Sequence, residues 1–187
     1  YDTQAQVPRV LNYGTSVAWI FARRFAFGGY TLDGAAPPID QLGKASDDNS
    51  WSTAAAGEDQ TKALVALTRQ GLNDGAIGIG IPNGYAPGAG VKELTRICDL
   101  AAEFECPTFT HIAFASNIDP QSSVESYVRL IGLAGATGAH MHICHLNSSS
   151  GTDIEQAVRI LQRAQEVGLP VSTEAYPYGT SSTVISA

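Results

Sequence analysis

Four histidines carry most of the chemistry this sequence can offer, and all lie between residues 111 and 145. His111 follows the run Pro107–Thr110 and stands just before a polar loop. His145 stands near the end of the next strand-like run, His140–Leu146, before the loop Asn147–Gly151. In parallel α/β folds the ligand site lies beyond the carboxyl ends of the strands. Histidines on two successive strand ends would point into one site. Imidazole is the commonest ligand for zinc-like metals, and catalytic sites usually supply three protein ligands plus a water. His111 and His145 are therefore candidate metal ligands; the competing reading is two unrelated histidines at loop edges. His140, His142 and Cys144 alternate along one strand and share a face. That array could hold a soft metal by itself, although lining one side of the strand is the simpler use and the one favoured here.

Other candidates are fewer. Tyr176-Pro177-Tyr178 ends the last strand at the level of His111 and His145. A phenol there can hydrogen-bond a substrate or a transition-state oxyanion, or simply pack at the rim. Glu174 lies inside the same strand, where a buried carboxylate needs a partner that the sequence does not name. Ser148–Ser150 and Ser181–Ser182 read most simply as turn and cap chemistry. Cys98 sits on a helix stripe and Cys106 precedes a strand-starting proline, so both read as core or near-core. No Gly-x-Ser-x-Gly elbow anchors a serine hydrolase. Neither common phosphate-binding glycine motif opens a helix, which removes the usual nucleotide-binding sheets.

The elements that must position these residues repeat with a regular rhythm. Apolar or β-branched runs begin near Gly75, Pro107, His140 and Pro170, at spacings of 32, 33 and 30 residues, the length of one βα unit. Between them the periodicity predicts helices over 58–73, 91–105, 121–134 and 153–167. The expected apolar stripes are Ala63, Leu64, Leu67 and Leu72; then Val91, Leu94, Ile97, Cys98, Ala101 and Ala102. Val124, Val128 and Ile131 form the third, and Ile154, Ala157, Val158, Leu161, Ala164 and Gln165 the last. Ser150 and Thr152 are candidate caps for that last helix, and Gly168 ends it. Such alternation demands parallel strands joined by right-handed crossovers, and runs such as AIGIGI read as strands buried on both sides. An α/β fold of parallel strand–helix repeats follows. Four units plus a strand-like Arg9–Phe21 segment make about five, short of the eight a closed (β/α)8 barrel needs. Residues 1–57 read as an irregular front segment with a long connection, and 58–187 as regular units of one partial domain.

Composition narrows the function classes. The 187 residues are 44% hydrophobic and 16% charged, with 19 Gly and 9 Pro, an ordinary globular make-up. A net charge of −7 with no basic tract argues against nucleic acid and against anionic membrane surfaces as partners. No apolar run approaches the ~20 residues of a membrane span. Three cysteines without a pattern make no disulfide framework, so a reducing cytoplasm is expected.

Four blocks then carry a family resemblance. The run Asp74-Gly-Ala-Ile-Gly-Ile-Gly-Ile-Pro-Asn-Gly-Tyr85-Ala-Pro-Gly88 comes first, then Thr110-His111, then Ile143-Cys-His145. The last is Glu174-Ala-Tyr176-Pro-Tyr178-Gly-Thr-Ser-Ser182-Thr183. In order and spacing they resemble the N-acyl-D-amino-acid deacylases of the metal-dependent amidohydrolase superfamily, over about residues 60–187. The front segment is similar only around Asn12–Thr15. The resemblance implies a distorted (β/α)8 TIM barrel holding one or two zinc ions, with a zinc-activated water attacking the substrate amide. It makes His111 and His145 metal ligands of the fifth and sixth strands and Tyr176 the catalytic, oxyanion-facing phenol. It places Ser182, Tyr85 and Asn147 on the substrate side.

The departures matter as much. A family His-His-Lys run is here His145-Leu146-Asn147, so the lysine that meets the substrate carboxylate is replaced. The first-strand His-x-His pair, the bridging Cys and the eighth-strand Asp find no match. The expectation is therefore the middle of an amidohydrolase barrel, acting on a small-molecule amide. The 187 residues alone are expected to hydrolyse little, and an open sheet edge to pair with missing barrel segments or with itself. The alternative is a non-catalytic α/β binding module.

Overall fold

A computed structural model describes residues 13–28 and 49–180. Five short strands form one sheet: β1 (Val17–Ala18), β2 (Ile79–Pro82), β3 (Thr108–His111), β4 (Met141–Ile143) and β5 (Val171–Thr173). All neighbours are parallel, and their order in the sheet is their order in the chain. The helices are α1 (Trp19–Phe27), α2 (Ser50–Thr53), α3 (Glu58–Asn73), α4 (Val91–Glu103), α5 (Ser123–Thr137), α6 (Leu146–Ser150) and α7 (Ile154–Glu166). The main crossover helices pack each on the next: α1 on α3, α3 on α4, α4 on α5, and α5 on α7. Sequential strands with neighbouring helices keep every crossover on one side of the sheet. That is the winding of a barrel wall, whereas a doubly wound sheet reverses its strand order.

Burial alternates along the strands accordingly. Ile79, Ile81, Thr108, Thr110, Met141, Ile143 and Val171 are buried in the layer shared with the helices. Gly80, Phe109, His111, His142 and Ser172 point the other way and are only half-buried. The strands are thus not apolar on both sides. The face away from the helices carries aromatic, imidazole and hydroxyl groups, and it is the face that holds the candidate site.

The predicted helices recur with small shifts. In α3, Glu58 and Asp59 occupy the first turn, and Gln60 Oε1 accepts from the Gly57 N–H at 2.8 Å. Ser122 caps α5 by accepting from the Glu125 N–H at 3.3 Å, and Gly138 ends it at φ +75°, a conformation glycine adopts without strain. Leu94, Ile97, Cys98 and Ala101 form the buried stripe of α4, while Val91 at its start is exposed. In α5 the buried stripe is rotated from the expected one: Ser126, Tyr127, Leu130, Leu133 and Ala134 face inward and Val128 faces out. The serines hid that stripe. Ser126 Oγ accepts from the Phe114 N–H, and the Tyr127 hydroxyl meets Ser149 and Ser150, so these polar groups are satisfied inside. Ser150 and Thr152 do not cap α7; Asp153 stands at its N-terminus with no side-chain cap bond. The expected loop Asn147–Gly151 is instead helix α6 running into a 3₁₀ turn, and β4 ends at Ile143 rather than reaching Leu146.

The front segment enters the core through α1. Trp19, Ala22 and Ala26 are buried, and so is Arg23 at 0% exposure. Arg23 forms an ion pair with Glu93 of α4 and donates to the carbonyls of Trp51 and Ala54, beside the Phe27 ring. One guanidinium therefore ties α1, α2 and α4 together. Among the described residues, no helix is long and apolar enough to cross a membrane.

Candidate metal centre

His111 is the last residue of β3, and its ring lies at the carboxyl edge of the sheet. His145 sits two residues past β4 with φ 42° and ψ 57°, a left-handed turn that swings its ring toward β3 before α6 begins. The Glu174 carboxylate accepts from the His145 backbone N–H, and the Glu174 carbonyl accepts from the Leu146 N–H. These contacts hold the turn. Glu174 is exposed just past β5, so the partner it lacked in the sequence is the main chain of His145.

The turn brings His111 Nδ1 to 3.1 Å from His145 Nε2, with ring centroids 4.7 Å apart. A tetrahedral zinc with nitrogen ligands at about 2.0–2.1 Å separates two of them by about 3.3 Å. The contact has the geometry of an imidazole–imidazole hydrogen bond, and the same convergence would let both nitrogens meet one ion. His145 Nδ1 is buried and finds no hydrogen-bond partner among the described residues. Burial, with His145 nearby as a second cause, pushes His111 down to about 4, so its ring is neutral at pH 7 and ready to act as a ligand.

That depression has a measurable consequence. The unfolded chain takes up the His111 proton near the ordinary 6.5, whereas the folded one resists it until about 4. Stability contributed by the neutral ring is complete above 6.5 and is lost as the pH falls through that window. Urea titrations without metal are expected to show lower stability at pH 4 than at pH 7, by less than the full shift implies because solvent screens the partly exposed ring. In His111→Asn the corresponding slope should vanish.

Two tyrosines flank the pair. The Tyr85 ring lies 5.6 Å from His111, and the Tyr176 ring 5.2 Å from His145, giving a continuous row of four rings. Tyr85 arrives on a 3₁₀ turn, Asn83–Tyr85, that follows β2 directly. Gly84 lets this turn close on the site: a Cβ there would lie 3.0 Å from His111 Cδ2 and from the Ile112 carbonyl. Gly84→Ala must therefore displace the imidazole or the turn. The expected cost is roughly 1–3 kcal/mol of stability, read by urea unfolding, and a 10–100-fold loss of any divalent-metal affinity at the pair, read by chelator competition.

Asn147 holds Tyr176 from behind. Its Nδ2 donates to the Tyr176 carbonyl at 3.0 Å, and its Oδ1 accepts from the Tyr176 N–H at 2.9 Å. Ser182 lies outside the described residues. His140 is exposed, with Nε2 2.8 Å from Ser172 Oγ, and does not join the pair. Burial and the neighbouring Glu174 push the Cys144 thiol up to about 11, which excludes a free thiolate nucleophile at neutral pH. Asn83 escaped the sequence reading. It is 1% exposed, and neither side-chain amide atom has a partner among the described residues. Its place between Pro82 and Gly84 was the only available signal.

No family model and no curated protein matches the sequence. Solved structures do match, and they share the fold of the metal-dependent amidohydrolases. A D-aminoacylase, described as defining a subset of amidohydrolases, matches with TM-score 0.59 at 17% identity, over 88% of this chain and 47% of its own. The N-acyl-D-glutamate deacylase of Bordetella bronchiseptica matches with TM-score 0.57 at 23% identity, over 68% of this chain and 27% of its own. That structure holds zinc and a phosphonate mimic of the tetrahedral intermediate. The L-hydantoinase of Arthrobacter aurescens matches with TM-score 0.50 at 15% identity, over 88% and 46%. At these identities the likeness is one of fold, and the chain spans less than half of each of these proteins.

Proposed function

We propose that this chain is the metal-holding wall of a metal-dependent amidohydrolase that cleaves N-acyl-D-amino acids or related small amides, in a cytoplasmic setting. The observation that carries the reading is the facing pair His111 Nδ1 and His145 Nε2, 3.1 Å apart at the carboxyl edge of parallel strands. The fold shared with D-aminoacylase and N-acyl-D-glutamate deacylase supports it. One or two divalent ions, zinc first among them, would supply Lewis acidity and a water of lowered pKa at that pair.

The side chains have separable tasks. His111 and His145 hold the ion, and the low proton affinity of His111 keeps a lone pair available at neutral pH. Tyr176, beside His145, donates its hydroxyl to the amide oxygen as negative charge grows there. Asn147 fixes the Tyr176 backbone and so acts on the substrate through that residue. Tyr85 closes the opposite side of the row, and the family resemblance alone assigns Ser182 to the substrate. With Asn147 where the resembled family pattern has lysine, the substrate carboxylate meets no cation from this position, which widens the range to related amides. Residues 1–187 act as one partial barrel domain, and further barrel segments complete the site.

Native mass spectrometry of the zinc-loaded full-length protein, paired with a hydrolysis assay on N-acyl-D-amino acids, tests this. One or two bound zinc ions and turnover that disappears with chelation are expected. A protein that binds no zinc and cleaves none of these amides would overturn the proposal in favour of a non-catalytic binding module.

A further inference from the structure

A second group of metal-binding atoms lies directly beside the histidine pair, with Cys144 next to His145 in the chain and Glu174 bonded to its backbone N–H. The register sets His142 opposite Ser172. Two residues further along each strand direction stand Cys144 and Glu174, on the same side by the period-two alternation of extended chain. One ring nitrogen of His142, Cys144 Sγ and one Glu174 carboxylate oxygen all lie within 4.8 Å of one another. A tetrahedral ion needs separations of about 3.3–3.8 Å, which modest rotation of these half-buried and exposed side chains supplies.

The supporting contacts hold two of the three groups in place. His142 Nδ1 lies 2.9 Å from Ser172 Oγ, and the Phe109 ring meets the imidazole edge-on at 5.8 Å. Glu174 is oriented by the His145 backbone N–H. Partners of this kind fix ring orientation and tautomer in metal sites. His140, the third member of the array visible in the sequence, is drawn off by Ser172 and exposed, and the carboxylate from β5 takes its place.

We propose that His142, Cys144 and Glu174 form a second divalent transition-metal site, distinct in its donors from His111 and His145. A nitrogen, sulfur and carboxylate set selects zinc, cobalt or copper over magnesium or calcium. Three protein donors leave one position open to water. Cys144 binds as thiolate, its proton passing to solvent.

Cobalt(II) titration of the full-length protein tests the site directly, because a thiolate–cobalt charge-transfer band in the near ultraviolet reports sulfur ligation. The band is expected in the wild type and in His111→Ala, and absent in Cys144→Ser. In Glu174→Gln, whose side-chain amide oxygen can still accept from the His145 N–H and so keep the turn, cobalt affinity read from the band should fall at least 10-fold. Four results would overturn the proposal: no band in the wild type, a band that survives Cys144→Ser, an affinity unmoved by Glu174→Gln, or a band lost in a folded His111→Ala. The last would mean a single ion shared with the histidine pair, and it would leave the proposed function standing.

Discussion

Replacing Arg23 with methionine is expected to lower stability by about 3–5 kcal/mol, the usual cost of stranding one partner of a buried ion pair. The Arg23 side chain is 0% exposed and that of Glu93 is 3% exposed. Removing the guanidinium leaves the Glu93 carboxylate without its cation and the Trp51 and Ala54 carbonyls without these donors. Burial already outweighs Arg23's attraction and holds the Glu93 carboxyl above the usual range, so the intact pair contributes little net stability. The double variant Arg23→Met/Glu93→Leu should therefore recover most of the loss. Thermal unfolding would read the single variant as a fall of roughly 10 °C. A loss below 1 kcal/mol would show that the pair does not close in solution.

Under the proposed function, His145→Ala reduces zinc affinity about 10²–10³-fold. A four-ligand zinc site is worth roughly 10–16 kcal/mol, or about 3–4 kcal/mol for each ligand. The geometry gives His145 one of the two converging nitrogens, and alanine offers no replacement donor. His140→Ala, on an exposed ring outside both clusters, should leave zinc affinity unchanged. Competition against a chromophoric chelator distinguishes the two variants. Equal losses would place the ion elsewhere on the sheet. Any zinc-dependent hydrolysis by the full-length protein should fall with the His145→Ala affinity.

Much of this architecture is legible in the chain. Helix α3 spans 58–73 as its periodicity predicts, because apolar residues recur at helical spacing and acidic residues crowd its first turn. The strand positions follow from β-branched runs set one βα unit apart. His111 and His145 stand out because both fall at the ends of such runs. The α5 stripe was harder to read, since its inward residues include Ser123, Ser126 and Tyr127, whose burial depends on partners far along the chain.

The parallel α/β class, the order of the units and the residue types able to bind a metal are written in local periodicity and side-chain chemistry, which need no partner. Which of those residues meet depends on the folded backbone. The left-handed turn at His145 aims one imidazole at another 34 residues away in sequence. Strand register, set by hydrogen bonds between β4 and β5, exchanges His140 for Glu174 in the second cluster and places Asn147 behind Tyr176. Arg23 finds Glu93 across 70 residues for the same reason. Such pairings depend on where the folded backbone brings distant segments, and no local pattern encodes that.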